Sequence, residues 1–473
     1  MLASTFNILI LLIGLFWFLY LAYQQRTNKY FLITPFLLFG FQEIISIWGI
    51  PLNYSFKGKS LDGWEILVIG TAFLAFVVGF FLAGGKKLPI NSYLSQPITA
   101  KHSPQYYFMS VSISSLFLIA LGTYYYQGVP AMGALALQLF LGNIDLNELG
   151  LLMAEQRYLL TKSHWFGGEY RGQGVITAIQ KIGWRFVFAV SLIMFLQLKS
   201  KKWLFLCIST GLLLIWFQAG TGERSPLAFS FLFILIVLSL IQKINVKHVI
   251  ILTALGFAFL MVTTYFSAKG SLLKDSPDMV SKLSQQLVER IFLGNAIHDL
   301  EVIDFMESGR LEKRYGMWHV EKFLTSFPGV RVGVPLGFHI SYLRGSSEDT
   351  FSSGTYMGLV YADFGYSGIL FGFLTIGAFL AFAQKQIFNK ERDIIVIVLS
   401  SMVIFYLSWM AGYGFIGFSS DMVMVVFFWG TFHFFGSFFS KTQTTKLSIS
   451  NSRVKSPYPD SGHEKRKPLI SDS

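Results

Sequence analysis

Glu223 and Arg224 stand side by side in "AGTGERSPL", a short turn between two apolar runs. A guanidinium is planar, stays charged when half-buried and binds phosphate oxygens two at a time. Ser225 and Pro226 make a good helix start, and an arginine beside a positive helix end is unfavourable unless an anion is shared. Glu223 is one such anion, and a ligand phosphate is another. More arginines lie in the polar segments of the chain: Arg157, Arg171, Arg290, Arg331 and Arg344. Arg290 and His298 fall in one helical pattern, with Gly294 between them and Glu301 a turn further on. That face presents either a cation, a gap and an imidazole to a ligand, or a solvated charged surface. His298 and His339 are the candidate general bases. Glu43, Arg185, Asp363 and Asp421 fall within or at the mouth of apolar runs, where ionisable groups are costly and therefore informative. The spacing predicts Arg185 near the outer end of its span and Asp421 at the mouth of its own. All four fall in the same half, which points to chemistry at one rim rather than a relay through the membrane. Trp165, Tyr170, Trp318 and Tyr342 suit the apolar faces of sugars, and equally an aromatic belt at a membrane interface.

The elements that must position these groups are set by composition. The chain has 473 residues, 53% hydrophobic and only 14% charged, with 49 Phe and 21 Tyr. Apolar runs at 4–23, 31–50, 64–84, 106–126, 183–198, 203–219, 226–241, 248–266, 355–384, 394–411 and 419–439 are each long enough to read as a helix crossing a core of about 30 Å. The expectation is an all-α polytopic integral membrane protein with about 11 transmembrane helices. Arg26/Lys29, Lys86/Lys87/Lys101, Lys199/Lys201/Lys202, Lys243/Lys247 and Lys385/Lys390/Arg392 mark alternate loops, which with the basic tail puts the N-terminus outside and the C-terminus in the cytoplasm. The net charge of +12 is then an orientation signal and not a nucleic-acid footprint. The first run lacks a charged leader and a cleavage signal, so it reads as a retained span. Cys207, the single cysteine, lies inside a span and reads as a core thiol.

One transmembrane domain, 1–440, carries outer loops at about 127–182 and 267–354. The tail 441–473, rich in Ser, Lys and Pro, has too little to bury and reads as disordered. The larger loop predicts an amphipathic helix from the N-cap Ser276 and Pro277 to a stop at Gly309, packed on the membrane face or on the span ends. Its second half, "FLTSFPGVRVGVPLGFHISYLRGSSEDTFSSGT", has the Gly, Pro and Ser content of an ordered irregular loop. Glycine-rich phosphate loops with Lys, Cys/His zinc spacings and His-Glu-x-x-His are absent from the sequence. Asp299 and Glu301 are two apart and diverge on a helix, so no metal and no cofactor is expected.

Three stretches resemble bacterial O-antigen and exopolysaccharide repeat-unit polymerases (Wzy-type). These are "AGTGERSPL", the large late outer loop, and the re-entry "SSGTYMGLVYADFGYSGILFG", which contains Tyr361 and Asp363. The segment "EQRYLLTKSHWFGGEYRGQG" is similar to the arginine-bearing loop that precedes the central spans of that family. The resemblance covers most of residues 120 to 385. It implies a GT-C-like integral-membrane glycosyltransferase, metal-independent, in the bacterial cytoplasmic membrane with its active side facing the periplasm or cell exterior. The implied substrates are polyprenyl-diphosphate-linked glycans, with a chain-length regulator and a flippase as partners. On that reading Arg224 and Arg290 hold the diphosphate, and Arg157, Arg171, Arg331 and Arg344 assist. His298 or His339 is the base, Asp363 or Glu223 orients it, and Tyr170, Tyr342 and Tyr361 contact the substrate. A ligase moving polymer onto another lipid, or a non-enzymatic flippase or exporter, is the alternative.

Overall fold

A computed structural model describes residues 2–25, 32–56, 63–144, 148, 152, 155, 159, 173–220, 225–242, 245–265, 278, 281–282, 296–324, 336–345, 355–438 and 447–448. The described chain is almost entirely helical. In order come α1 (Leu2–Gln24), α2 (Pro35–Phe56), α3 (Gly63–Leu82), α4 (Ile90–Ser95), α5 (Pro104–Tyr126) and α6 (Ala131–Phe140). Then follow α7 (Gln173–Leu198), α8 (Lys201–Ala219), α9 (Ser225–Leu240) and α10 (Val246–Tyr265). The late segment holds α11 (Ala296–Glu307), α12 (Met317–Leu324) and α13 (Leu336–Leu343), before α14 (Tyr356–Phe388), α15 (Ile394–Ser408) and α16 (Met410–Ser437). Among the described residues, five helices are long and apolar enough to cross a membrane: Gly63–Leu82, Pro104–Tyr126, Gly174–Leu198, Lys201–Ala219 and Tyr356–Phe388. Shorter apolar helices accompany them, so the architecture is that of an all-α membrane protein.

Local chemistry fixes where several helices start. Ser103 accepts from Tyr106 N with Pro104 in the first turn of α5, Ser200 caps α8, and Asp393 accepts from Ile395 N at the head of α15. Helix α14 is the centre of the bundle. It lies along α3, where Gly79 and Gly377 let the two backbones touch: a Cβ on either would meet a carbonyl oxygen of the other helix at 2.1 or 2.0 Å. A stacked set, Phe36, Phe76 and Phe80, fills the junction with α2. At the lysine-rich end, Arg392 donates to the carbonyls of Leu94, Gln96 and Leu240 at 3.0, 2.7 and 2.7 Å, tying two loops to the end of α9.

Several boundaries depart from the sequence expectation. Helix α7 starts ten residues before the apolar run at 183, because "QGVITAIQKI" continues the helix with polar side chains; Ile176, Ile179 and Ile182 are buried. Arg185 therefore sits midway along α7 and not near its outer end. Helix α16 starts at Met410 but breaks at Gly414, φ 67 and ψ −166, so Asp421 lies about two turns into its unbroken part. The expected irregular loop contains α13, whose turn around Ile340 and Ser341 is buried. The expected amphipathic helix is described only over Ala296–Glu307, followed by Gly309 at φ 70 as its stop; the part with Ser276 and Pro277 lies outside the described residues. In the tail, Leu447–Ser448 pairs antiparallel with Thr99–Ala100, and the rest of 441–473 lies outside them too.

Candidate functional site

The late loop helices dock on the head of α14 through two carboxylates. Asp299, on α11, accepts from Thr355 N at 2.7 Å and Gly358 N at 3.0 Å, and also from the Thr355 hydroxyl. It caps the first turn of α14 from outside, where the helix dipole favours a negative group. Burial pushes its carboxyl up to about 6, against the pull of those hydrogen bonds. Glu43 on α2 and Lys322 on α12 are within electrostatic reach of it. Burial pushes the Lys322 ammonium down to about 8, a shift that Asp299 partly opposes.

Asp363 does the reverse job, from α14 onto α12. Fully buried, it accepts from Trp318 N at 3.1 Å and His319 N at 3.0 Å, which are first-turn donors of α12. Its second oxygen also lies 2.5 Å from His319 Nδ1. Helix α14 breaks two residues later at Gly365, φ 66 and ψ −150, a conformation that essentially only glycine adopts. Near this break the Asp363 carbonyl accepts from Tyr315 N at 3.1 Å. The same residue thus holds the segment before α12, the helix itself and the imidazole.

With Nδ1–H donated to Asp363, the neutral His319 ring keeps its lone pair on Nε2. The ring lines a cleft of about 340 Å³ along α14, with Tyr356, Phe364, Ser367, Phe371 and Thr375. Phe371 is 65% exposed, so the cleft opens sideways towards the apolar surroundings of the bundle. Arg314 supports the arrangement from behind: it holds Glu321 through two hydrogen bonds of 3.0 and 2.7 Å and covers the Trp318 ring at 4.4 Å. A histidine oriented by a buried carboxylate, beside a cleft, is the geometry of a general base.

The structure assigns the sequence candidates to different surroundings. Asp363 orients a histidine, but that histidine is His319 and neither His298 nor His339. His298 Nδ1 lies 3.1 Å from Glu301 and 2.6 Å from Arg344, which itself pairs with Glu301. Although burial works upward on Glu301, the hydrogen bonds from His298 and Arg344 leave its carboxyl below the ordinary range. Asp299 and Glu301 diverge, each to its own partner. His339 packs edge-on against Trp318 at 5.1 Å, and burial followed by the nearby Arg314 charge pushes its imidazole down. Tyr361 donates to Glu307 at 2.5 Å and accepts from Trp64 Nε1 at 2.9 Å, so it fastens α11 to the bundle. Tyr342 is exposed. Arg157, Tyr170, Arg171, Glu223, Arg224, Arg290 and Arg331 lie outside the described residues. Sequence reasoning missed His319. Its only local signal is "YGMWHVEK", a Gly before a short amphipathic turn, while its partner is 44 positions away.

A second cleft lies between α7, α9, α15 and α16. It measures about 400 Å³ and is lined by Lys181, Arg185, Phe405, Tyr406, Trp409 and Asp421, among others. Arg185 donates to Ser230 Oγ and to the Pro226 carbonyl, both at 3.2 Å, lies over the Phe405 ring at 4.8 Å, and reaches the Tyr406 hydroxyl. No family model, curated protein or solved structure matches the chain, so the two clefts stand on their own geometry.

Proposed function

We propose that the chain is an integral-membrane glycosyltransferase that joins lipid-linked oligosaccharide repeat units at the outer face of a bacterial cytoplasmic membrane. The observation that carries this reading is the His319–Asp363 pair at the head of a cleft open sideways along α14. A soluble-substrate enzyme has no need of such an opening; a substrate carried on a polyprenyl chain does. His319 Nε2 takes the proton of an acceptor sugar hydroxyl as that oxygen bonds to the anomeric carbon of the donor. The bond from that carbon to the diphosphate oxygen breaks, and the electron pair leaves with the diphosphate. Cations near the developing charge stabilise it. Lys322, one turn beyond His319 on α12, is the described cation closest in sequence to the base, and Arg224 and Arg290 remain the sequence candidates for the same task. No metal is required by this scheme. The eleven-span, N-out topology and the flippase and chain-length partners belong to the same proposal.

The test is incubation of the purified protein with a synthetic diphospholipid repeat unit. A ladder of products supports polymerase action, and loss of the ladder in His319→Ala supports the assigned base. A single transfer to a foreign lipid would make the protein a ligase. No covalent product, with the unit moved across a vesicle membrane, would make it a transporter. The Arg185 side chain, midway along α7, is the observation that favours that last reading.

A further inference from the structure

The cleft around Arg185 is a recess set below the end of the bundle, and helix lengths show why. At 1.5 Å per residue the 16 residues of α9 span about 24 Å, short of a core of about 30 Å, while the helical path of α15 continues through Trp409 into the first turn of α16 and breaks at Gly414. Helix α7, with 26 residues, continues for about 39 Å. Arg185 contacts Pro226 in the first turn of α9 and Phe405 in the last turn of α15. It therefore lies level with the first turn of α9 and below the break at Gly414, about 20 Å from the Leu198 end of α7. Backbone that ends at membrane depth must be covered by protein or line a wet cavity. Above Arg185 the same face of α7 carries Lys181, then Ala178, Thr177 and Gly174, and the small residues keep the passage to the helix start open.

We propose that this recess binds a saccharide bearing one carboxylate, a hexuronic-acid type of sugar. The two cations, Lys181 and Arg185, are one turn apart and can share one anion; Asp421 cancels one of their charges, leaving room for a single negative charge. The Tyr406, Trp409 and Phe405 rings supply flat apolar faces beside that charge, suited to the C–H face of a sugar. A lipid phosphate is the competing anion, and the phosphate and phosphatidylglycerol arms of the experiment separate it from a uronate. The volume, about 400 Å³, is that of a small-ligand site. This inference names a substrate class for the proposed glycan chemistry and rests on that reading only for the view that a glycan is what the protein meets.

The experiment is calorimetric binding to the full-length protein in nanodiscs, with methyl glucuronide, methyl glucoside, inorganic phosphate and phosphatidylglycerol as probes. Saturable methyl glucuronide binding, at least about tenfold tighter than methyl glucoside and weakened by salt, is the expected result. Lys181→Gln, at a half-buried position, should lose about tenfold of it, and Arg185→Lys should lose more because the planar fork is gone. Equal binding of the acidic and neutral sugars overturns the proposal. So does phosphate binding as tight as the uronate, competition by phosphatidylglycerol, or unchanged affinity in Lys181→Gln. Transfer from the synthetic diphospholipid without any preference for uronate would sink the recess and keep the enzyme. Uronate binding without transfer would do the opposite.

Discussion

The two clefts are built from opposite materials. The His319 cleft is made where loop helices meet a span: its base sits on α12, its orienting acid on α14, and its other wall is the lipid-facing side of α14. The Arg185 recess is made within the spans, where the short α9 starts beside the longer α7 and below the break in α16. In the first, every charged group is tied to backbone donors or to a partner, so geometry is fixed and a proton can be handled. In the second, two cations, one acid and three aromatic rings face a common space, which suits holding an anion more than reacting with it. A polar pair on a docked loop can be tuned by docking; a polar recess in the spans cannot move without the bundle.

The largest expected effect breaks this contrast at the base. His319→Ala should lower transfer by about 10² to 10⁴, while methyl glucuronide binding at Arg185 stays unchanged. Asp363→Asn should cost nearly as much in kcat with little change in KM, because an amide oxygen still accepts from Trp318 N while its NH2 replaces the acceptor of His319 N and no longer favours Nδ1–H on the imidazole. A ladder of normal length from either variant would show that the His319 cleft is structural.

Gly365→Ala tests whether the break in α14 holds the site. Its φ of 66 and ψ of −150 are closed to an L side chain, and a Cβ would also lie 3.0 Å from Lys313 Nζ. The cost should be about 1–3 kcal/mol, read as earlier unfolding in denaturant and faster amide exchange in α12, with α7 unaffected.

The docking of α11 on α14 should depend on pH with a definite sign. Asp299 has a folded pKa of about 6 against an ordinary 3.8, so the folded state keeps a proton that the unfolded state gives up. The stability from this group is full below that lower value and is lost as pH rises towards about 6. Urea midpoints measured between pH 4 and pH 7 should show that contribution, and Asp299→Asn should remove it. Glu301 works with the opposite sign: its lowered carboxyl stabilises at higher pH, and the benefit goes as pH falls. The difference between Asp299→Asn and the unaltered protein therefore isolates the first group.

The smallest effect is expected for Arg344→Ala. Its pairing with Glu301 and His298 is partly exposed, and such pairs contribute about 0–1 kcal/mol. Transfer should fall less than tenfold. A loss as large as that of His319→Ala would move the chemistry back to the His298 cluster that the sequence suggests.

The apolar runs, the turn lysines, the stop at Gly309 and the importance of an acid at Asp363 are all legible in the residues themselves, because burial and capping are local matters. Helix α7 is longer than its apolar run because Ile176, Ile179 and Ile182 bury one stripe while Thr177 and Lys181 keep the other polar. Helix α13 escapes because Gly and Pro around it read as loop. The Glu223–Arg224 turn lies outside the described residues, so its anion is still a matter for mutagenesis.

By itself the sequence determined that this is a helical membrane protein, since about 20 apolar residues can satisfy their backbone in lipid in only one way. Only the tertiary structure decided which histidine meets Asp363, and that Arg185 faces a recess. Both depend on where separate helices end relative to one another, and a carboxylate 44 residues from its imidazole leaves no periodic trace in the chain.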